Sequence, residues 1–328
     1  MSSFFFRRAG WFLITVLAVV TVSFFLMRAV KGGPFDGERS LNPAIRRNIE
    51  ARYHFDWPLY KQFFQYLGPL NLDAHGARWL GGDGTRVFGG VLTGDLGPSF
   101  RYRDLTVNDI IAQSLPISLA LGSAALLWAV VLGFAAGVGS ALYRGRPIDI
   151  ALRTWATIGI ALPNFLIAAL LIILFVFLIP LFPAAGWGTP SQLVLPAIAL
   201  GSPYAAYIAR LIRTGLLEVL SQDYIRTAHA KGLSPRRVIV SHALKGALLP
   251  VVSYLGPATA GILTGSLVIE RVFGIPGTGQ HFVNSALNRD YTLAMGVTIL
   301  YTVLVYGLNT LVDLVYTLLD PRIQLREQ

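Results

Sequence analysis

The sequence contains no cysteine, which excludes disulfide bonds and thiolate metal sites. Charge is also scarce: 13% of the 328 residues are charged, 54% are hydrophobic, and the mean hydropathy is +0.58. A soluble domain of this size is not so apolar, so the composition predicts an integral membrane protein. The net charge of +10 comes from basic residues beside hydrophobic segments, which is typical of membrane proteins and argues against binding to nucleic acid.

Signatures of catalysis are lacking as well. The five histidines are scattered without metal-ligand spacing, and no nucleophile triad or carboxylate pair stands out, so we expect neither catalytic residues nor a metal site. None of the four lysines follows a glycine; they are Lys31, Lys61, Lys231 and Lys245. A phosphate-binding loop therefore cannot form, and any nucleotide hydrolysis has to occur on another chain.

Six apolar segments are each long enough to cross a hydrocarbon core of about 30 Å as helices. They cover residues 9–27, 115–142, 148–179, 193–217, 238–269 and 293–319. Basic residues concentrate in the loops after the second and fourth segments, which indicates that these loops and both chain termini are cytoplasmic. We therefore predict an all-α fold with six transmembrane helices. Its regions are an N-terminal membrane helix over 1–30, an extracytoplasmic insertion over 31–113, and a five-helix core over 114–328.

The predicted insertion is polar and its charges are balanced, so it can lie outside the membrane without violating the positive-inside tendency. Aromatic residues over 48–65 are typical of a helix at the membrane interface. The stretch 68–94 is rich in glycine, which predicts an extended loop.

The segment 221–245 carries the most organised pattern of the chain. Ser221 is a predicted N-cap, and Gly232 follows the first short helix as a residue of positive φ. Ser234 then precedes Pro235, which suits the first position of a second helix. Between residues 226 and 245 there are five basic residues and no acidic one. These features predict a rigid, basic helical hairpin on the cytoplasmic side.

This hairpin also resembles a known pattern. RTAHAKGL at 226–233, followed by HALKGALLP at 242–250, is similar to the cytoplasmic loop of ATP-binding-cassette importer permeases, in the variant of the oligopeptide and dipeptide branch. GPFDGE at 33–38 and DLGPSFRYRD at 95–104 are similar to the same branch, and most of all to its B-type subunits. The resemblance covers nearly the whole chain apart from the glycine-rich stretch, and implies the type I importer permease fold in a bacterial inner membrane.

The same resemblance implies partners. A permease of this branch works with a homologous C-type permease, two ATPase subunits that bind ATP and Mg²⁺, and an external peptide-binding protein, while the permease itself binds no cofactor. The hairpin over 221–245 would then be the coupling element that docks on an ATPase subunit. The residues to which this implies a coupling role are Tyr224, Arg226, Ala228, Ala230, Lys231, Gly232, Arg236 and Arg237.

Prolines within the apolar segments indicate where a transport path could run. Each proline removes a backbone hydrogen bond, and the freed carbonyl persists in a membrane where protein or a water-filled cavity satisfies it. A packed kink is the alternative interpretation. The candidate path residues are Pro163, Asn164, Pro250, Ser253, Pro257 and Thr259.

A turn rich in glycine and proline is expected over 270–279, on the outer side of the fifth segment. The resemblance implies an outer loop here that dips back toward the path. Its candidate residues are Gly274, Pro276, Gly277 and Gly279.

Two glycine pairs, Gly133 with Gly137 and Gly261 with Gly265, have the four-residue spacing that lets membrane helices approach closely. We expect both pairs to serve helix packing.

Two alternative functions stay open. A sibling permease for dipeptides, nickel or glutathione would carry the same motifs. A self-sufficient secondary transporter would need a proton relay inside the membrane, for which Asp313 is the candidate, with Asn309 four residues earlier on the same helical face. An interhelical hydrogen bond is the favoured interpretation of Asp313.

Overall fold

The computed structural model describes residues 2–29, 55, 57–68, 70–73, 76–79, 89–102 and 105–319. The side chains of residues 2–5, 70–79, 264–265 and 312–319 lie outside this description. The GPFDGE motif, most of the glycine-rich stretch and the side chain of Asp313 therefore lie outside the described residues.

Helices dominate the part of the chain that is described. They are α1 Ser2–Ala29, α2 Leu59–Leu67, α3 Val107–Leu142, α4 Pro147–Ala161, α5 Asn164–Ile172, α6 Pro190–Leu220, α7 Asp223–Ala230, α8 Pro235–Val238, α9 Leu244–Ala247, α10 Leu249–Phe273, α11 Thr278–Leu287 and α12 Tyr291–Leu319. A 3₁₀ turn covers Val91–Thr93, and π-helical segments cover Ile173–Leu178 and Ile239–Ala243. Two short strands, β1 Leu70–Asp73 and β2 Gly76–Trp79, pair antiparallel with Leu70 opposite Trp79.

The six predicted membrane spans are confirmed when each bent helix pair is counted as one span. Among the described residues, four helices are individually long and apolar enough to cross a membrane, namely α1, α3, α6 and α12. Two bent pairs, α4 with α5 and the α8–α9 segment with α10, also meet this criterion. The predicted cytoplasmic placement of the termini stays a prediction.

Close packing is visible at both glycines of the first predicted pair and at Gly261 of the second. A Cβ added to Gly133 would lie 2.7 Å from the backbone oxygen of Ala205 on α6, and one added to Gly137 would meet the oxygen one turn further along at the same distance. A Cβ on Gly261 of α10 would lie 2.6 Å from the Tyr204 hydroxyl. Such contacts are closer than a side chain permits, so glycine allows α3 to approach the α6 backbone.

The third span is broken rather than merely kinked. α4 ends at Ala161, Leu162 and Pro163 are extended, and α5 begins at Asn164 with its axis turned by 111°. Proline disfavours a helical conformation for the residue before it, which explains why the break falls at Leu162. The predicted interruption at these residues is therefore a change of direction in the chain.

The fifth span bends by 51° at Leu248, between α9 and α10. Pro250 lies in the first turn of α10, where a missing N–H is tolerated, whereas Pro257 lies inside that helix. The bend therefore lies at the start of α10, just before Pro250, and not within the helix at Pro257.

The outer turn starts later and is shorter than the sequence predicts. We expected it to begin at Glu270, but α10 continues to Phe273 and ends at Gly274, whose φ is +61°. Glu270 can remain in the helix because the hydroxyls of Ser118 and Ser266 donate hydrogen bonds to its carboxylate at 2.7 and 2.8 Å. α11 then begins at Thr278, so the turn comprises residues 274–277.

The chain divides into two compact units. The first contains residues 1–116 and 277–306, and the second contains residues 117–276 and 307–328. In the first unit, Val20 and Phe24 of α1 are buried with Tyr66, Met295 and Ile299.

The second unit carries the broken span and the hairpin. Its largest cluster of buried apolar residues joins α3, α5, α6 and α10, with Leu121, Ala168, Leu200 and Ile262 among its members. A second cluster, described below, lies beneath the hairpin.

Candidate functional site

The predicted basic hairpin is present as two helices joined by a tight turn. α7 ends at Ala230, and Gly232 follows with φ +75°, a conformation that favours glycine. Pro235 occupies the first turn of α8, as its fixed φ favours. The N-cap of α7 is Gln222 rather than Ser221, because the Ser221 hydroxyl donates instead to the backbone oxygen of Glu218 at 2.6 Å.

The inner side of the hairpin is packed against the chain itself. Ile225 and Ala228 of α7 are buried in one apolar cluster with Val238, and the cluster also contains Ala141 of α3 and Leu216 of α6. Residues three apart on a helix share a face, so Ile225 and Ala228 fix the orientation of α7. The small side chain of Ala228 therefore allows close approach to this chain's own helices.

The opposite side of the hairpin is exposed and basic. Its exposed side chains include Tyr224, Arg226, Ala230, Lys231, Arg236 and Arg237. Arg226 forms an ion pair of 3.3 Å with Asp223, but both side chains are more than three-quarters exposed, so water screens this pair. A partner surface that fits this face has to be acidic or rich in hydrogen-bond acceptors.

A buried carboxylate next to the hairpin anchor was not singled out by the sequence. Asp149, in the first turn of α4, is 1% exposed. Arg213 of α6 binds it through two hydrogen bonds of 2.9 and 3.1 Å, and the Ser140 hydroxyl and the Gly145 N–H donate to it at 2.6 and 2.9 Å. Two-pronged arginine–carboxylate pairs are the stronger kind of ion pair. This ionic cluster joins the end of α3, the start of α4 and the inner part of α6.

Three of the four candidate path residues of α10 lie on one face, whereas Thr259 lies on the opposite face and is partly buried. Pro250, Ser253 and Pro257 are all exposed, and their spacing of three and seven residues places them along the same side of the helix. The hydroxyls of Ser253 and Thr259 donate to backbone oxygens four residues earlier, at 3.0 and 2.7 Å.

The candidate path residues of the third span lie elsewhere, at the break between α4 and α5. Pro163 is exposed and Asn164 is partly buried. Within the described part of the chain, Asn164 forms no side-chain hydrogen bond, and no hydrogen bond links it to α10. Participation of either set in a path stays a prediction.

The DLGPSFRYRD segment meets the start of α12 in the first unit, which the sequence did not predict. Asp290 is 1% exposed, and it accepts hydrogen bonds from the Ser99 hydroxyl and from the Phe100 N–H. The Thr292 hydroxyl donates to the backbone oxygen of Pro98 at 2.7 Å. These contacts hold the DLGPSFRYRD segment to the start of α12.

The candidate outer-loop residues are distributed over a turn and a helix. Gly274 ends α10, Pro276 and Gly277 form the following turn, and Gly279 is buried inside α11. The predicted approach of this segment to a path stays a prediction.

Comparisons with known proteins agree with these features. A family model described as "Binding-protein-dependent transport system inner membrane component" matches residues 129–325. The chain is 45% identical over 326 residues to the oligopeptide transport system permease protein OppB of Haemophilus influenzae, covering 99% of this chain and 100% of the relative. It is 43% identical over its whole length to the full dipeptide transport system permease protein DppB of Bacillus subtilis.

A solved structure shows a similar fold. A chain of the MetNI methionine ABC transporter, in an inward-facing conformation, superposes with a TM-score of 0.54 at 20% identity. The match covers 64% of this chain and 96% of the transporter chain. This likeness confirms the predicted type I importer permease fold.

Proposed function

Because the chain belongs to the family of binding-protein-dependent transport system inner membrane components, we propose that it is the transmembrane permease subunit of an ATP-driven oligopeptide importer. The observation that carries this proposal is 45% identity to an oligopeptide permease over 99% of the chain. The protein is a transport subunit of the inner membrane and not an enzyme.

The energy for import comes from partner chains in this proposal. This chain cannot form a phosphate-binding loop, so ATP and Mg²⁺ are held by two ATPase subunits. A homologous C-type permease provides the other half of the path, and an external peptide-binding protein delivers the substrate. The exposed basic face of the hairpin supports an ATPase partner, because it is oriented by burial of the opposite face.

The hairpin couples ATP hydrolysis to the helices through two connections. Ile225 and Ala228 pack against α3 and α6, so a displacement of α7 is resisted by both of these long helices. α8 also continues through the π-helical segment and α9 into α10 without an extended linker. A movement of the hairpin is therefore transmitted to α10, which carries the candidate path residues Pro250, Ser253 and Pro257.

A dipeptide permease is the second candidate, because identity to the Bacillus subtilis relative is nearly as high, at 43%. Nickel or glutathione transport and an independent secondary transporter have no specific observation in their favour. Asp313, on which the secondary transporter depends, has its side chain outside the described residues.

The proposal is tested by reconstituting the chain with its sister permease, both ATPase subunits and the binding protein in proteoliposomes. Uptake of labelled peptides of two to six residues is measured with ATP, without ATP, and with an ionophore that collapses ion gradients. An oligopeptide importer takes up the longer peptides with ATP and is insensitive to the ionophore. Uptake restricted to dipeptides would favour the second candidate, and uptake that follows the ion gradient would overturn the proposal.

A further inference from the structure

An arginine on the open side of α6 has no acidic partner among the described residues. Arg210 is exposed, and its guanidinium carbon lies 4.9 Å from the centre of the Tyr207 ring. The Tyr207 ring in turn lies 4.3 Å from that of Tyr254 on α10, with 35° between their planes. The guanidinium therefore lies over Tyr207, whose ring is itself packed against Tyr254 of the neighbouring helix, and the face of an aromatic ring attracts a cation.

The next arginine of the same helix, Arg213, has an acidic partner, which Arg210 lacks among the described residues. Arg213 is neutralised by Asp149, whereas Arg210, one turn earlier, contacts the Tyr207 ring and leaves its hydrogen-bond donors available. Arg210 lies ten residues from the helix end that carries the hairpin, which corresponds to about 15 Å. An arginine at such a position within a membrane span is costly unless it faces protein, water or an anion, and it commonly marks the route of a substrate or ion.

Exposed polar side chains lie close to Arg210 on both helices, so this face can be in contact with water. Exposed Thr214 lies one turn further along α6, and exposed Ser253 is next to Tyr254 on α10. The side of α10 that carries Ser253 also carries Pro250 and Pro257, which the sequence assigned to the path. The guanidinium group provides paired N–H donors that match a carboxylate, and a tyrosine hydroxyl can donate a further hydrogen bond.

We propose that Arg210, which lies over the Tyr207 ring beside Tyr254, is a transient binding station for the carboxylate of a peptide passing through the permease. This inference rests on the proposed peptide transport and adds to it the substrate group that the path recognises. The carboxylate is either the C-terminal one or that of an acidic side chain. Such a group is present on every unmodified peptide, so one station serves substrates of varied sequence.

The first experiment asks whether water and anions reach Arg210, and it does not depend on transport. The chain has no native cysteine, so Thr214→Cys gives a single thiol one turn from Arg210. In the assembled complex, its reaction rates are measured with a negatively charged and a positively charged methanethiosulfonate reagent, with and without trapped nucleotide. The rate of the negatively charged reagent divided by that of the positively charged reagent should fall about fivefold in the Arg210→Gln background, as expected for loss of a positive charge about 6 Å away. This ratio should be largely kept in Arg210→Lys, which retains the charge.

Two outcomes of this experiment overturn the proposal. If the thiol reacts with neither reagent in any state, the face is covered by lipid or by another chain. If the rate ratio is the same in the Arg210→Gln background, the guanidinium does not attract anions from the path.

The second experiment identifies the carboxylate. Uptake by the reconstituted complex is compared for a neutral peptide with a free C-terminus, the same peptide as a C-terminal amide, and an amide that contains one glutamate. Each rate is measured at saturating peptide, after the affinity of the binding protein for each peptide has been determined separately. In Arg210→Gln, uptake of the free acid should fall about tenfold relative to the amide, the size expected when a charged hydrogen-bond partner is lost.

A matching fall for the glutamate-containing amide would assign the station to side-chain carboxylates as well. An equal fall for all three peptides would show that Arg210 is structural and would overturn the station. If the wild-type complex transports none of the peptides, the proposed function fails, and the thiol experiment still decides whether the face accepts anions.

Discussion

Removal of the Asp149 carboxylate tests whether the ionic cluster holds three helices together next to the hairpin. In Asp149→Ala, Arg213 loses two hydrogen bonds, and Ser140 and Gly145 lose their acceptor. Deleting one partner of a buried ion pair costs about 3–5 kcal/mol. Because the Arg213 side chain is 20% exposed and can be partly rehydrated, we expect a loss near the lower end, about 3 kcal/mol.

Two further variants separate the buried pair from general effects of charge. Asp149→Asn keeps one acceptor but directs an amide N–H toward the Arg213 guanidinium, so a loss of about 2 kcal/mol is expected. Arg153→Gln is the matched control. Arg153 approaches the same carboxylate at 3.7 Å but its side chain is 54% exposed, and exposed pairs contribute about 0–1 kcal/mol.

The free energy of unfolding is measured by titrating SDS into mixed micelles while following the fluorescence of the six tryptophans. The double variant Asp149→Leu with Arg213→Met should recover part of the loss, since replacing a whole buried pair by apolar residues is often neutral. If Asp149→Ala is no less stable than Arg153→Gln, the ionic cluster does not hold the three helices together and the assignment is refuted.

Three other changes test the hairpin, the helix packing and the rival function. Gly232→Val should cost about 1 kcal/mol through backbone strain at φ +75° and should reduce peptide-stimulated ATPase activity and uptake. The control Gly94→Val, at φ +79° and with equally open space, should leave coupling intact, and normal uptake in both assembled variants would contradict the coupling role. Gly133→Ala should lower the free energy of unfolding by about 1–3 kcal/mol because the added methyl group meets the backbone of α6. The control Gly307→Ala, with no atom within 4 Å of the added methyl group, should be neutral or slightly stabilising, and equal stabilities of the two variants would contradict the packing argument. Asp313→Asn abolishes titration with little change of shape, so an ATP-driven importer should retain most of its uptake, and loss of uptake in the assembled complex would favour a proton-driven carrier.

Local patterns predicted the spans, the hairpin and the positions of the close-packing glycines because each pattern involves residues close together in the chain, although the helices that these glycines contact were not predicted. Gly232 requires positive φ within a turn of the α7 end, and the apolar runs are continuous. The partners of the buried acids could not be predicted in this way. Arg213 is 64 residues from Asp149, and Ser118 is 152 residues from Glu270. An acid in the first turn of an apolar span, where water is scarce, was the signal that could have pointed to Asp149.

Small residues proved ambiguous for a related reason. We expected the small side chains of Ala228 and Ala230 to allow close approach to an ATPase subunit, which is wrong for Ala228. The structure shows that Ala228 is buried with Ile225 against the chain's own helices, whereas Ala230 is exposed. Burial on one face of α7 is what orients the basic side chains on the other.

Three contacts on α6 occur at intervals of three residues, and this spacing connects the hairpin to the proposed carboxylate-binding station at Arg210. Leu216 lies beneath the hairpin, Arg213 binds Asp149, and Arg210 faces the open side. Positions three apart on an α-helix differ by about 60° in direction, so the three contacts occupy neighbouring sectors of one rigid helix within two turns. A tilt or rotation of α6 imposed at Leu216 must therefore displace Arg210 relative to Tyr254 on α10, and the ionic cluster between them determines how much force that movement requires.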